Sequence, residues 1–413
     1  MIFCFIMKGA RTRRLLSFLG LALTSNFQAR GDALDTWTNV ANSSYGTFDS
    51  IVYGNGIFAA GSILPYPGGY SATNGGISSS SDGINWVHKS FLVNITGVAY
   101  GNGIFVASGS DPNTSGDGGA LYYSTNGSNW AYANAGPPGL SGVTYGNGLF
   151  VAVGYVYEAQ SPWMGISTNG RDWTNVNISV SVSHIYGATY ANGKYLARTD
   201  SGPNAILISS DGKNWNSANA TVVEPPIPAQ PPKYLSGVGR IIFLNGLYFA
   251  ATASGIYTSP DVQNWTAAVP ALPRLPYLLV PQTATNQLFV NAGSAGAIYT
   301  STDATNWTTR VTGITNDLRD IAFGNNHFVT VGTNGAIYLS GNTVPSVAVQ
   351  NELPAGVQLT ISGGLGPTYQ LQASSDLTTW SNLVTFTNIG VSTNYLDTTA
   401  GNFGQRFYRT VSP

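Results

Sequence analysis

The phrase YGNGIF stands at 53–58 and again at 100–105, and YGNGLF follows at 145–150. Looser versions carry Asn192-Gly193, Asn245-Gly246, Asn286-Gln287 and Asn325-Asn326. Asn-Gly between alternating apolar runs is the strongest short hairpin signal, because both turn residues must adopt positive φ. Each phrase therefore predicts strand, two-residue turn, strand. A chain that repeats one hairpin at a near-constant interval builds an array of small sheets, each of which buries its faces only against its neighbours. No other feature restricts the fold so strongly.

A second mark alternates with the first. It reads SSDGINW (80–86), STNGSNW (124–130), STNGRDW (167–173), SSDGKNW (209–215), SPDVQNW (259–265) and STDATNW (301–307), at intervals of 42–50 residues. An Asp or Asn two residues after a Ser can tie its side chain to turn amides, and the Gly present in four copies relaxes the backbone. The Trp is expected to pack beneath the turn. These copies resemble the Asp-box, or BNR, repeat of sialidases, Ycf48-like photosystem assembly factors and other β-propellers. The usual box is Ser-x-Asp-x-Gly-x-x-Trp; here the Trp comes one residue earlier, and two copies lack the Gly. The resemblance covers residues 34–341 and implies an all-β β-propeller, and counting the seven Asn-Gly-like hairpins gives seven blades. The unit ending GAIYLSGN (335–342) lacks its Trp strand, while LDTWTNV (34–40) supplies one. The N-terminal strand is thus expected to complete the last blade and remove an open sheet edge.

The remaining segments set the boundaries. Residues 1–33 read as a bacterial signal peptide, with Lys8, Arg11, Arg13 and Arg14 before the apolar run 15–23, and with Met7 an alternative start. That run is well short of the ~20 residues that span a bilayer, so secretion or delivery to the periplasm or cell surface is expected, without membrane insertion after cleavage. The single cysteine, Cys4, lies in this leader. Residues 343–413 change rhythm and read as a small C-terminal β-sandwich. They resemble C-terminal modules of secreted proteins from Verrucomicrobia-like bacteria, and SSDLTTW (374–380) repeats the box spelling. Only 8% of residues are charged and the net charge is −1, which gives no surface for nucleic acid.

Propeller geometry puts the tight turns on one face and the longer connections, the usual place for function, on the other. The connections 61–76, 109–120 and 154–165 offer Tyr66, Tyr70, Tyr155, Tyr157, Glu158 and Trp163 as candidate ligand contacts. Counting back from each hairpin adds Asp49, Tyr186, Arg240, Arg319 and Asp320 at the channel mouth, with His184 just above. The plainer alternatives are that the aromatics pack on one another and that the charges form a solvated ring. Sialidase chemistry, which the resemblance would bring with an arginine triad and a Tyr–Glu pair, fits poorly: only Glu158, Glu224 and Glu352 are present, and no Phe-Arg-Ile-Pro phrase precedes the boxes. No metal spacing and no phosphate loop appear, and no cofactor is expected. The expected function is non-catalytic binding of a glycan or extracellular protein. The alternatives are a glycan-active enzyme and a Ycf48-like assembly role.

Overall fold

The computed structural model describes residues 4–7, 14–15, 33–40, 45–64, 75–111, 118–133, 139–199, 202–223, 233–244, 246–252, 255–270, 277–279, 289–301, 306–341, 346–362, 368–387 and 392–411. By contact the chain separates into two compact units: residues 39–282 with 288–339, and residues 1–38, 283–287 and 340–413. No helix of the described residues is long and apolar enough to cross a membrane.

In the larger unit one antiparallel sheet follows another. The first takes Thr47–Gly54, Ile57–Ile63, Gly75–Ser80 and Val87–Phe91 in spatial order. The same four-strand order restarts at Asn94, Gly139, Ile185, Ile241 and Tyr277, and the sheet from Ile241 adds a fifth strand, Thr221–Val222, parallel to Asn264–Pro270. A last sheet runs Leu318–Gly324, His327–Gly332, Ile337–Ser340 and then the strand ending at Asn39; Val40 donates its amide to the Ile337 carbonyl at 3.0 Å. The first strand of each sheet packs on the first strand of the next, and Leu318–Gly324 packs back on Thr47–Gly54. That cyclic order is the arrangement of a β-propeller.

The repeated phrase has two physical causes. Its turn residues lie in the left-handed region, with φ near +47° at Asn55 and +77° at Gly56, and equivalent values at Asn102-Gly103, Asn147-Gly148 and Asn192-Gly193. Asn325 and Asn326 reach the same region without glycine. The preceding Tyr-Gly serves the neighbouring sheet. A Cβ on Gly54 would lie inside the ring of Tyr100, one on Gly101 inside Tyr145, one on Gly146 inside Tyr190, and one on Gly324 inside Tyr53. Each tyrosine thus lies over the glycine of the preceding sheet. Where the sequence writes Ala191 instead, the next sheet brings Phe243, which carries no hydroxyl, against the same cluster.

The Ser-x-Asp turns are bonded throughout. Asp82 Oδ1 accepts from the amides of Ile84 and Asn85 at 2.8 Å, and Ser80 Oγ accepts from the Gly83 amide at 2.9 Å. Asn85 Nδ2 donates to Asp82 Oδ2 at 2.7 Å. In the third turn the partners are exchanged, with Asn169 Nδ2 donating to Asp172 Oδ2 at 2.8 Å. The indole N–H of Trp86, Trp130, Trp173, Trp215 and Trp265 donates to the carbonyl three residues before it, which anchors the ring under the turn. Val262, at the glycine position of its turn, is held at φ +75°. The turn at 302–305, with Asp303, lies outside the described residues.

The smaller unit has two sheets sharing one core. Ser346–Leu353, Gly356–Ser362 and Ser392–Asp397 form one; in the other, Thr368–Ser374 lies between Ser381–Thr387 and Gln405–Val411. Leu359, Ile361, Leu371 and Tyr408 are buried between them. Near the N-terminus, Cys4–Met7 is extended and pairs antiparallel with Gln405–Val411, Phe5 opposite Phe407.

Candidate functional site

The inner strands differ from one another at the end opposite the Asn-Gly turns. Pairing with the second strand slips by one residue between Phe48 and Ser50, Ile95 and Gly97, Leu140 and Gly142, Ile185 and Gly187, and Leu318 and Asp320. The extra residues are Asp49, Thr96, Ser141, Tyr186 and Arg319. A β-bulge leaves one residue out of the ladder and re-aims its side chain, and bulges concentrate at rims and functional sites. One backbone device, repeated, therefore presents five unlike side chains at one end of the inner strands.

After two of the bulges the next residue serves the frame instead, and after the other three it is Gly97, Gly142 or Gly187. Ser50 Oγ accepts the Val98 amide of the next strand at 3.1 Å, and Asp320 Oδ2 accepts the Ile51 amide at 2.9 Å. Asp320 is fully committed: its Oδ1 also takes the Ile321 amide at 2.9 Å and the Arg240 guanidinium at 2.7 Å, and the residue is 5% exposed. With both oxygens so occupied Asp320 belongs to the framework, and Arg240, its side chain 41% exposed, is tied to it. Asp49 differs. Its Oδ1 lies 3.7 Å from Arg319 Nη1, beyond hydrogen-bond length, and has no hydrogen-bond partner. Burial raises its pKa above the ordinary value, and the charge of Asp320 adds to that while Arg319 opposes it. Below these residues a cavity of about 470 Å³ opens among the inner strands, lined by Ile51, Tyr53, Tyr100, Tyr145, Tyr190 and Arg240 among others.

Of the loop candidates, Tyr66 and Tyr70 lie outside the described residues. The segment 154–165, expected to be a long irregular loop, is an extended hairpin: Leu149–Val156 pairs with Ser161–Ser167, leaving only 157–160 as the turn. This corrects the expected position of Trp163. It is a strand residue opposite Gly154, partly buried against the core that contains Leu121, Leu140 and Phe150, with its ring over Gly165. Tyr155 stacks on His184 at 4.1 Å and meets Tyr157 edge-on at 4.9 Å; His184 faces Tyr186 in parallel at 5.8 Å. Part of the aromatic surface is thus used internally, as the plainer alternative held. The ends of the row, Tyr157 and Tyr186, are each 51% exposed, and Glu158 is exposed at the tip.

Sequence reasoning passed over Arg198. Its side chain crosses Gly187, whose missing Cβ makes room, and donates to the carbonyls of Tyr186 and Val238 at 3.3 Å each. It links the aromatic row to the segment that carries Arg240. The signal was available: a charge stands where earlier sheets have Gly61, Ser108 and Val153.

No protein-family model matches the chain, and no curated protein matches it. Solved structures do. Ycf48 bound to D1 peptide is 14% identical with a TM-score of 0.52, over 77% of this chain and 99% of that one. Virginiamycin B lyase from Staphylococcus aureus with quinupristin is 11% identical with a TM-score of 0.53, over 74% and 98%. PorZ, a surface component of the type-IX secretion system of Porphyromonas gingivalis, is 12% identical with a TM-score of 0.53, over 93% of this chain and 57% of that one. At such identities the likeness is one of fold: the chain is a β-propeller.

Proposed function

We propose that the chain is an exported, seven-bladed propeller of the Asp-box kind, closed by its N-terminal strand and followed by a β-sandwich at 343–413. In this reading it binds a glycan or protein ligand on the bulged face without catalysing a reaction. The observation that carries the reading is the ring of unlike bulged side chains, joined through Arg198 to a row of aromatics with exposed ends. Half-exposed tyrosines beside arginine suit contact with a partner, since both residue types are enriched where binding energy concentrates. Ycf48 bound to D1 peptide and PorZ, a surface component, lend the reading support by analogy of fold alone, while the lyase with quinupristin suits the enzymatic alternative as well. A glycan-active enzyme on this scaffold needs two carboxyls facing one cleft. The bonding of Asp320 weighs against that alternative, because the acid beside Asp49 is already bonded to Arg240 and to the amides of Ile51 and Ile321.

The test is a combined glycan and peptide array on the purified protein, with reducing-sugar release measured in parallel. Binding that falls about tenfold or more in a Tyr157→Ala, Tyr186→Ala double variant, with unchanged melting and no sugar release, is the expected result. Full binding by that variant would move the site to another face, and sugar release would favour the enzyme.

A further inference from the structure

Among the described residues, Arg240 is the one charged group in the lining of the cavity between the inner strands. Asp320 engages only Nη1 of its guanidinium, and the side chain is 41% exposed. The strands around this cavity differ in how their amides are capped. Ser50 Oγ accepts the Val98 amide and Asp320 Oδ2 accepts the Ile51 amide, so each of these residues caps the inner strand of the next sheet. On two neighbouring strands the capping position is glycine. Gly97 stands there before Val143, and Gly142 before Ala188, so neither of those amides receives a side-chain cap from it. Exposure follows the capping. Ile51 and Val98 are 4% and 7% exposed, whereas Val143 and Ala188, in the same lining, are half-buried. The space is open as well: a Cβ on Gly142 would meet nothing nearer than the Gly187 Cα at 3.7 Å.

Building on the bulged-face reading, we infer that the Val143 and Ala188 amides and the Arg240 guanidinium form a cavity site for an oxyanion, the carboxylate, sulfate or phosphate group of an acidic ligand. Backbone N–H and guanidinium groups only donate, so the group that completes them accepts on every side. Hydrogen bonds to an ionised acceptor are about twice as strong as neutral ones, and amides gathered in a concavity favour negative charge. With no side chain at Gly142, such a group can approach the backbone closely. The surrounding charges permit it. Asp320 is occupied by Arg240 and two amides, Asp49 faces Arg319, and Arg198 lies across Gly187 on the next inner strand.

The experiment is calorimetry of the full chain with inorganic sulfate, inorganic phosphate and glucuronate, with glucose as the neutral control. At least one anion should bind and glucose should not; glucuronate above the inorganic ions points to an acidic ligand, and the reverse to a free ion. Gly142 does not occupy the left-handed region, so Gly142→Ser is free of backbone strain and places a hydroxyl where Ser50 has one. That variant should cap the Ala188 amide from within, melt no lower than the parent and bind the anion about tenfold or more weakly. Arg240→Gln should weaken binding by a similar factor. If no anion binds while neutral glycans or peptides on the array do, the oxyanion site is wrong and the bulged-face reading stands. If folded Gly142→Ser binds the anion like the parent, the uncapped amides are not the contact.

Discussion

The two ends of each inner strand follow opposite rules. At the turn end the chain repeats itself: tyrosine over the neighbour's glycine, then a left-handed Asn-Gly pair. At the bulged end the backbone repeats and the side chains do not, giving Asp49, Thr96, Ser141, Tyr186 and Arg319 at equivalent places. Sameness at the turn end follows from packing, because a ring covering bare Cα atoms tolerates no substituent there. Thr96 is tied to the next sheet, its hydroxyl donating to the Leu140 carbonyl at 2.9 Å, but the difference among the others implies that no common packing rule chooses them. A surface whose geometry is fixed and whose chemistry is varied is what recognition requires.

Several substitutions would break this contrast or sharpen it. The largest effect is expected from removing residues 34–41, which takes away the strand beside Ile337–Ser340 and leaves the last sheet with an open edge. The truncated protein should lose its cooperative thermal transition; melting equal to that of the parent would contradict the proposed closure. Next comes the fixed end. Trp215→Ala, with its ring buried and its indole bonded to the Gly212 carbonyl, should cost about 3–5 kcal/mol in urea unfolding. Gly146→Ala, which forces a methyl into Tyr190, should cost about 1–3 kcal/mol. Ser141→Ala, at the variable end, should change stability by less than about 0.5 kcal/mol. A Ser141→Ala variant as damaged as Gly146→Ala would erase the distinction.

The smallest effect concerns acid. Opposing its partial burial, hydrogen bonds from Asn264 and Gln263 pull the Asp261 carboxyl down to about 2. A depressed carboxylate contributes stability that is complete above its unfolded value, about 4, and is lost as the pH falls through the folded value. Asn126 caps an equivalent turn without a titrating group. Asp261→Asn should therefore melt almost like the parent at pH 7 and show a shallower loss of stability between about pH 4 and pH 2. An unchanged acid slope would show that the charge on these turns is immaterial.

Much of the fixed end was legible in the sequence, because its causes are local. Positive φ at Asn55-Gly56 and the bonding of Ser80, Asp82 and Trp86 involve residues a few places apart, so spelling reveals them. The bulges were not legible. A one-residue slip is a relation between two strands, and Asp49 or Arg319 reads in sequence as one more strand residue. Tyr100 over Gly54 likewise needs the order of neighbouring sheets. The hairpin at 149–167 was hidden for another reason: Gly154, Glu158 and Pro162 look like loop residues, yet Pro162 pairs with Tyr155 inside the ladder.

The seam of the propeller has a consequence for how the chain reaches its native state. Tyr53 donates its hydroxyl to Asn325 at 2.6 Å, Asn325 Nδ2 donates to the Ser81 carbonyl at 2.7 Å, and Asp320 holds the Ile51 amide. These partners are 244–272 residues apart, whereas adjacent sheets meet across some 45. Chain closure over the longer distance costs about 1.6 kcal/mol more entropy than docking one sheet on its neighbour. Sheets should therefore accrete in order from either end, and the seam should form last. Under mechanical pull on the termini the ladder between the strand ending at Asn39 and Ile337–Ser340 should part first, and the seam bonds should follow before the inner sheets unravel.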